Sequence, residues 1–164
     1  MIKRIIFDID GVLIKADGDV RTQKYKKLFD IALGWTKDDE YNGTTWMFDR
    51  MKGLYDKGFS MDNWKLLDKN IPDILEKLSK KYVLYACSVA KQEITKEKLK
   101  KTGILKYFAD IFNVPPVMDD TAIVDDRPKD YPDFYYIRFQ NGKYAGNKSN
   151  HNKKIKNLKQ LCEL

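Results

Sequence analysis

Arg4-Ile5-Ile6-Phe7-Asp8-Ile9-Asp10-Gly11-Val12 begins with a short continuous apolar run, Ile5 to Phe7, and breaks into two aspartates and a glycine. An unbroken apolar run of this length reads as a strand covered on both faces, as in a parallel sheet. Alternation along a strand puts Asp8 and Asp10 on one side and Ile9 on the other. Gly11 ends the run and allows the backbone to turn sharply and approach a bound group closely.

Downstream, the same kind of run recurs. Tyr82-Val83-Leu84-Tyr85-Ala86-Cys87 is a second buried-strand candidate and ends at Ser88. Ile111 to Val114 predicts a third strand, Ala122-Ile123-Val124 a fourth that ends at Asp125-Asp126, and Phe134 to Phe139 a fifth. Asn141-Gly142 is a hairpin signal, which predicts that Lys143-Tyr144 pairs back onto the fifth strand. Between the strands lie helical patterns. Pro72 opens a helix over Asp73–Ser79 with Ile74, Leu75 and Leu78 on one face. A helix from Gln92 to Lys101 is stopped by Thr102-Gly103, and Ile155, Leu158 and Leu161 predict a closing helix. Alternating strands and helices predict an α/β fold, a Rossmann-like parallel sheet with helices on both faces.

Residues 15–70 differ in character. They hold Trp35, Trp46 and Trp64, repeated glycines and helical patches, with Ser60 as a helix N-cap candidate. They read as a small helical insert after the first strand, leaving 1–14 and 71–164 as the core domain. The Trp rings, with Phe48, Met51 and Tyr55, read first as the core of that insert and second as a stacking surface for bases.

The 164 residues are 43% apolar, enough for one core and too few for a second full domain. The formal net charge of +7 suits anionic ligands, although most lysines stand in mixed runs of an exposed face. The tail run Lys148, Lys153, Lys154, Lys156 and Lys159 is of that kind, with a nucleic-acid-facing patch as the alternative. Cys87 and Cys162 form no paired motif, which excludes a disulfide framework and a zinc site. His151, the single histidine, reads as a surface residue. Asp8 and Asp10 interrupt the apolar amino-terminal stretch, which makes a poor signal peptide and is too short for a membrane span; a cytoplasmic location is expected.

The chemistry follows from where the strands end. In such a sheet, ligands bind beyond the carboxyl ends of the strands, near the point where strand order reverses. Three predicted strands end there in polar residues: Asp8 and Asp10, Ser88, and Asp125-Asp126. Carboxylates gathered at one rim repel each other unless a cation neutralises them. Oxygen ligands without histidine favour Mg²⁺ over zinc. Two carboxylates in different environments allow one to attack phosphorus while the other handles the proton.

These three strand ends resemble the motifs of the haloacid-dehalogenase-like superfamily. Asp8-Ile9-Asp10-Gly11-Val12 is similar to its DxDG(T/V) first motif, Ser88 to its second, and Ile123-Val124-Asp125-Asp126 to its fourth; the likeness spans nearly the whole chain in order. The resemblance implies a phosphatase in which Asp8 is the nucleophile and forms an aspartyl-phosphate. Asp10 would protonate the leaving alcohol and then activate water. Mg²⁺ would be held by the Asp8 carboxylate, the Asp10 carbonyl and Asp126, with Asp125 assisting. Gly11, Ser88 and Val89 would surround the phosphoryl group of a small phosphorylated substrate. The second aspartate argues against halide release, and the insert resembles the helical cap of some relatives. One departure stands out. The family's third motif is a lysine shortly before the fourth-motif strand, yet no lysine lies between Asn113 and Asp126. Lys91, three residues after Ser88, is the substitute expected from the sequence, against a plain solvated lysine as the alternative.

Ile-Val-Asp-Asp-Arg-Pro resembles the deoxyribonucleotidase branch and, more distantly, polynucleotide 3′-phosphatases, which makes a nucleotide or a nucleic-acid end an alternative substrate. The missing lysine leaves a third reading open, a catalytically degenerate relative that binds an anion or a protein. Asp119-Asp120 is read as a turn before the fourth strand, and Asp130 as either a second layer around the site or a turn residue.

Overall fold

The computed structural model describes residues 1–15, 64–90, 92–140, 148 and 150–164. Within them, six parallel strands form one sheet in the order β3-β2-β1-β4-β5-β6. The strands are β1 (Arg4–Asp8), β2 (Val83–Cys87), β3 (Asp110–Phe112), β4 (Thr121–Asp125), β5 (Tyr135–Phe139) and β6 (Lys153–Ile155). Helix α1 covers Ile71–Ser79 and α2 covers Gln92–Lys101. This is the Rossmann-like α/β arrangement, and its order reverses between β1 and β4.

Each element has a local cause. Ile71, Ile74, Leu75 and Leu78 recur at helical spacing and are all buried, with a proline in the first turn of α1. Helix α2 ends in a Schellman motif. Gly103 sits at φ +76°, its N–H donates to the Lys100 carbonyl, and the Ile104 N–H reaches back to Leu99. Leu99 and Ile104 are both buried, which supplies the apolar contact of that motif.

The main core joins Ile5 and Phe7 of β1 to Leu84, Ala86, Ala122 and Val124 and, above them, to α1 and the end of α2. A smaller cluster of Ile6, Ile123 and Tyr136 lies apart from it and is covered by Met118, Tyr131 and Phe134. The asymmetry follows from handedness. Right-handed crossovers from β1 to β2 and from β2 to β3 run in one direction and place both helices on one face. Past the reversal, crossovers fall on the other face. There the connections 113–120 and 126–134 carry turns and irregular chain in place of helices, so aromatic side chains do the covering.

Two local expectations change. Ile155 belongs to β6, not to a closing helix; it pairs with Phe139, and Gln140 N–H donates to the Ile155 carbonyl. The tail that follows is a 3₁₀ helix over Leu158–Glu163, in which Leu158 and Leu161, three apart, fall on one buried side. Asn157 and Gln160 close its start as a capping box. The third strand is Asp110–Phe112, ending before Asn113, whose side chain instead donates to the carbonyls of Ser88 and Ala90.

The insert proper and the Lys143-Tyr144 hairpin lie outside the described residues, as do Ser60, Trp35, Trp46, Phe48, Met51 and Tyr55. Its borders are described. Ile14 bridges Leu66 in antiparallel fashion, Lys15 N–H donates to the Lys65 carbonyl, and Leu67 N–H to that of Leu13. The chain therefore leaves and returns through one short ribbon beside the carboxyl end of β1. Among the described residues, no helix is long and apolar enough to cross a membrane.

Candidate active site

Parallel register brings the acids together. Phe7 lies opposite Val124 and Asp8 opposite Cys87, so Asp8 and Asp125 occupy adjoining strand tips at the order reversal. Carboxylate oxygens of Asp8, Asp125 and Asp126 lie within 4.8 Å of one another. Asp119 and Asp120 sit at the opposite end, in the turn before β4. There the Asp120 carbonyl accepts from Lys3 and Arg4 N–H, and its carboxylate pairs with Lys3 Nζ at 2.9 Å.

Past Asp8 the chain folds into a tight turn. The Ile9 carbonyl accepts from Leu13 and Ile14 N–H at 3.0 Å, and Gly11 N–H donates back to Ile14 at 2.8 Å. Gly11 sits at φ +92°, and a Cβ there would stand 2.9 Å from the Asp126 carboxyl carbon. Glycine is required twice, by backbone conformation and by the approach of Asp126.

Asp125 is fully buried and its oxygens are engaged. Oδ1 accepts from Arg127 N–H at 2.7 Å; Oδ2 accepts from the Tyr131 hydroxyl at 2.6 Å and pairs with Lys129 Nζ at 2.9 Å. Asp126 is the opposite case: its Oδ1 is buried without a hydrogen-bond partner among the described residues. Burial first, and the Asp125 charge second, push the Asp126 carboxyl up to about 6. Burial, then Asp125, with Asp10 and Asp126 adding, also raises Asp8 well above the usual carboxylate range, while Lys129 pulls it down. Burial and the nearby Asp8 charge push the Cys87 thiol up to about 12, so it stays protonated and unreactive.

Asp10 stands apart from this trio. Both its oxygens accept from Lys98 Nζ, at 2.8 and 3.1 Å. Ser88 is buried; its N–H donates to the Phe112 carbonyl, and its Oγ accepts from Ala90 N–H at 3.2 Å. Val89 is half-exposed at the same rim. The expected sites Asp8, Asp10, Gly11, Ser88, Val89, Asp125 and Asp126 thus all fall at the carboxyl ends of β1, β2 and β4. Lys91 lies outside the described residues. His151 and Asp130 are exposed.

Lys98, Lys129 and Tyr131 were not singled out from sequence. Lys129 carried a usable signal: it follows Asp125 by four residues, on the far side of the fourth motif from the place of the third-motif lysine. Lys98 gave none, since it sits among Lys96, Lys100 and Lys101 on a strongly charged helix.

The residues fit a hard divalent cation. The donor set is all oxygen, Asp8 and Asp126 have no ammonium or guanidinium within 4 Å among the described residues, and Asp126 Oδ1 is an unused buried acceptor.

Sheet order and site together define the haloacid-dehalogenase-like fold, and solved structures of that class superimpose on the chain. A haloacid dehalogenase-like hydrolase, SP0104 from Streptococcus pneumoniae, is 14% identical, with TM-score 0.69 over 99% of this chain and 97% of that one. The putative HAD-hydrolase YfnB from Bacillus subtilis, bound to magnesium, is 14% identical at TM-score 0.66 with the same coverage. A HAD phosphatase from Thermococcus onnurineus is 20% identical at 0.65, again over 99% and 97%. By sequence, the chain belongs to the family described as "Protein of unknown function (DUF2608)", whose family model matches residues 3–112. No curated protein sequence matches it.

Proposed function

We propose that this chain is a Mg²⁺-dependent phosphomonoester hydrolase that works through an aspartyl-phosphate on Asp8. The observation that carries the reading is the convergence of Asp8, Asp125 and Asp126 at the order reversal of the sheet, with Asp126 Oδ1 left without a partner.

Asp8 attacks phosphorus with one carboxylate oxygen, and the P–O bond to the leaving alcohol breaks. Asp10 protonates that alcohol, then takes a proton from the water that hydrolyses the acyl phosphate. Asp8 and Asp126, with the Asp10 carbonyl, would hold Mg²⁺, which supplies charge neutralisation between the carboxylates and the phosphoryl oxygens. Asp125, tied down by Arg127 N–H, Tyr131 and Lys129, contributes its charge from a fixed position. Gly11 keeps the space beside Asp126 clear. Ser88 Oγ donates to a phosphoryl oxygen while Ala90 N–H continues to donate to it.

The solved hydrolases and phosphatases of the same fold support a hydrolase, and the magnesium in one of them supports the cofactor. Phosphate release from p-nitrophenyl phosphate, titrated with Mg²⁺ and checked with Asp8→Asn, tests the reading. Well-folded protein that releases no phosphate from this ester or from a panel of mononucleotides and sugar phosphates, at any Mg²⁺ concentration, refutes it.

A further inference from the structure

We infer that Lys98 is a positioning residue for the acid–base carboxylate: its buried ammonium, clasping both oxygens of Asp10, fixes where the leaving group receives its proton. The inference rests on the phosphatase reading above and adds a residue that the superfamily motifs do not contain.

Three observations carry it. Lys98 Nζ lies 2.8 Å from Asp10 Oδ1 and 3.1 Å from Oδ2, so the ionised carboxylate is gripped at both oxygens and cannot rotate freely about χ2. When Asp10 carries the proton for the leaving alcohol, Lys98 holds the unprotonated oxygen and the other oxygen donates. The lysine side chain is 1% exposed, whereas its neighbours Lys96 and Lys100 on α2 are exposed. Burying an ammonium costs several kcal/mol before any pairing is counted, and packing alone would be served equally by a methionine. The cation is also enclosed on a second side. The Trp64 ring centroid lies 5.7 Å from Lys98 Nζ and 5.5 Å from Lys101 Nζ, and Trp64 is itself buried. An aromatic face over a desolvated ammonium holds it in place. Trp64 stands where the chain returns from the insert, next to the Lys15–Lys65 ribbon. The clasp is therefore built from three separate segments: the turn after β1, α2 and the insert's return.

A lysine that only propped the fold would affect all substrates alike. A lysine that aims the general acid matters most where the leaving group needs a proton. The measurement is kcat/KM, which reports the steps through expulsion of the alcohol, for aryl phosphates of graded leaving-group pKa and for an alkyl phosphate. It is made on wild type, Lys98→Met, Lys98→Arg and Asp10→Asn, each checked for native melting. Lys98→Met is expected to lose little on p-nitrophenyl phosphate and at least about tenfold more on the alkyl ester, a fraction of what general acid catalysis supplies. The slope against leaving-group pKa should steepen toward that of Asp10→Asn, and Lys98→Arg, which keeps the cation, should recover part of the loss. If Lys98→Met does not fold, the contrast between Lys98→Arg and wild type carries the same readout. An equal loss on both ester classes, or no loss, overturns the inference and leaves the phosphatase reading standing. A wild-type protein inactive on every ester overturns both.

Discussion

Asp126→Asn should stabilise the metal-free protein while removing its response to Mg²⁺. Asp126 is 5% exposed and its carboxyl is pushed from 3.8 to about 6. At 1.36 kcal/mol per unit, a rise of roughly two units costs about 3 kcal/mol once the group ionises in the fold. Because the folded-state pKa lies above the unfolded one, protonation favours the fold. That stability is complete below about pH 4 and is lost as pH rises through about 6. An asparagine does not titrate, and its amide can donate to a neighbouring carboxylate instead of repelling it. At pH 7.5 in EDTA the variant should therefore be more stable by up to about 3 kcal/mol, or about 6–12 °C in Tm for a chain of this size. At pH 4 the advantage should vanish. Adding Mg²⁺ should raise the Tm of wild type and leave the variant nearly unmoved, because ligand binding stabilises only the state that binds. Urea melts and thermal scans at both pH values, with and without Mg²⁺, measure all of this. A variant that melts at or below wild type in EDTA at pH 7.5, or that gains as much from Mg²⁺, refutes the picture of Asp126 as an uncompensated acid awaiting a cation.

Asp8→Asn should bring phosphate release to background with wild-type circular dichroism and, as for Asp126→Asn, a Tm in EDTA at pH 7.5 no lower than wild type; residual turnover would place the nucleophile elsewhere. Gly11→Ala, forced to keep a positive φ at roughly 1–2 kcal/mol and driven into Asp126, should lower both Tm and Mg²⁺ affinity, and unchanged affinity by calorimetry would contradict the close approach. Lys129→Met removes a charge that lowers the Asp8 pKa, so the acidic limb of the pH–rate profile should move to higher pH; an unmoved limb would show that Lys129 does not act on Asp8. Leu75→Ala, at a fully buried position of α1, should cost about 2–5 kcal/mol in urea unfolding, and a loss under 1 kcal/mol would mean that α1 does not close the core.

Much of the fold was legible because its signals are local. Ile5–Phe7, Tyr82–Cys87 and Ala122–Val124 are short apolar runs bounded by polar residues, and each became an inner strand of the sheet. Ile74, Leu75 and Leu78 gave α1, and Gly103 gave the end of α2. The tail was harder. Ile155, Leu158 and Leu161 are each three apart, a spacing that fits an α-helix as well as a 3₁₀ turn. The strand at Ile155 forms only because the edge of β5 offers it unpaired backbone groups, which is a tertiary fact. The acids of the site were legible because three strand tips carried them in order. The lysines were not: which of four lysines on α2 faces inward depends on the packing of that helix against the turn after β1. Lys129 reaches Asp125 through the course of an irregular loop that no periodicity describes.

The pairing pattern divides the four carboxylates at the rim into two kinds. Asp10 and Asp125 each have a lysine ammonium at 2.8 and 2.9 Å, from α2 and from the loop after β4. Asp8 and Asp126 have none within 4 Å among the described residues, and both are raised toward the neutral form. Two ammoniums paired among four carboxylates leave Asp8 and Asp126 without a directly bound cation among the described residues, although Arg127 and Arg138 act on Asp126 from further away. A divalent cation between these two would offset the burial and the repulsion that raise them. The distribution also separates roles. A nucleophile must keep a lone pair free, and a lysine hydrogen-bonded to Asp8 would occupy the oxygen that attacks; a metal on one oxygen leaves the other available. Under the proposed mechanism, the absent third-motif lysine is offset by two lysines that bind the neighbours of Asp8, Lys98 on Asp10 and Lys129 on Asp125, the second of which also lowers Asp8 without a direct bond. That arrangement makes Asp8 more dependent on the cation than a directly paired aspartate would be. Removing the metal should therefore abolish turnover even for an activated aryl ester, whose leaving group needs no proton from Asp10. Persistent hydrolysis of that ester in excess EDTA would show that the lysines suffice.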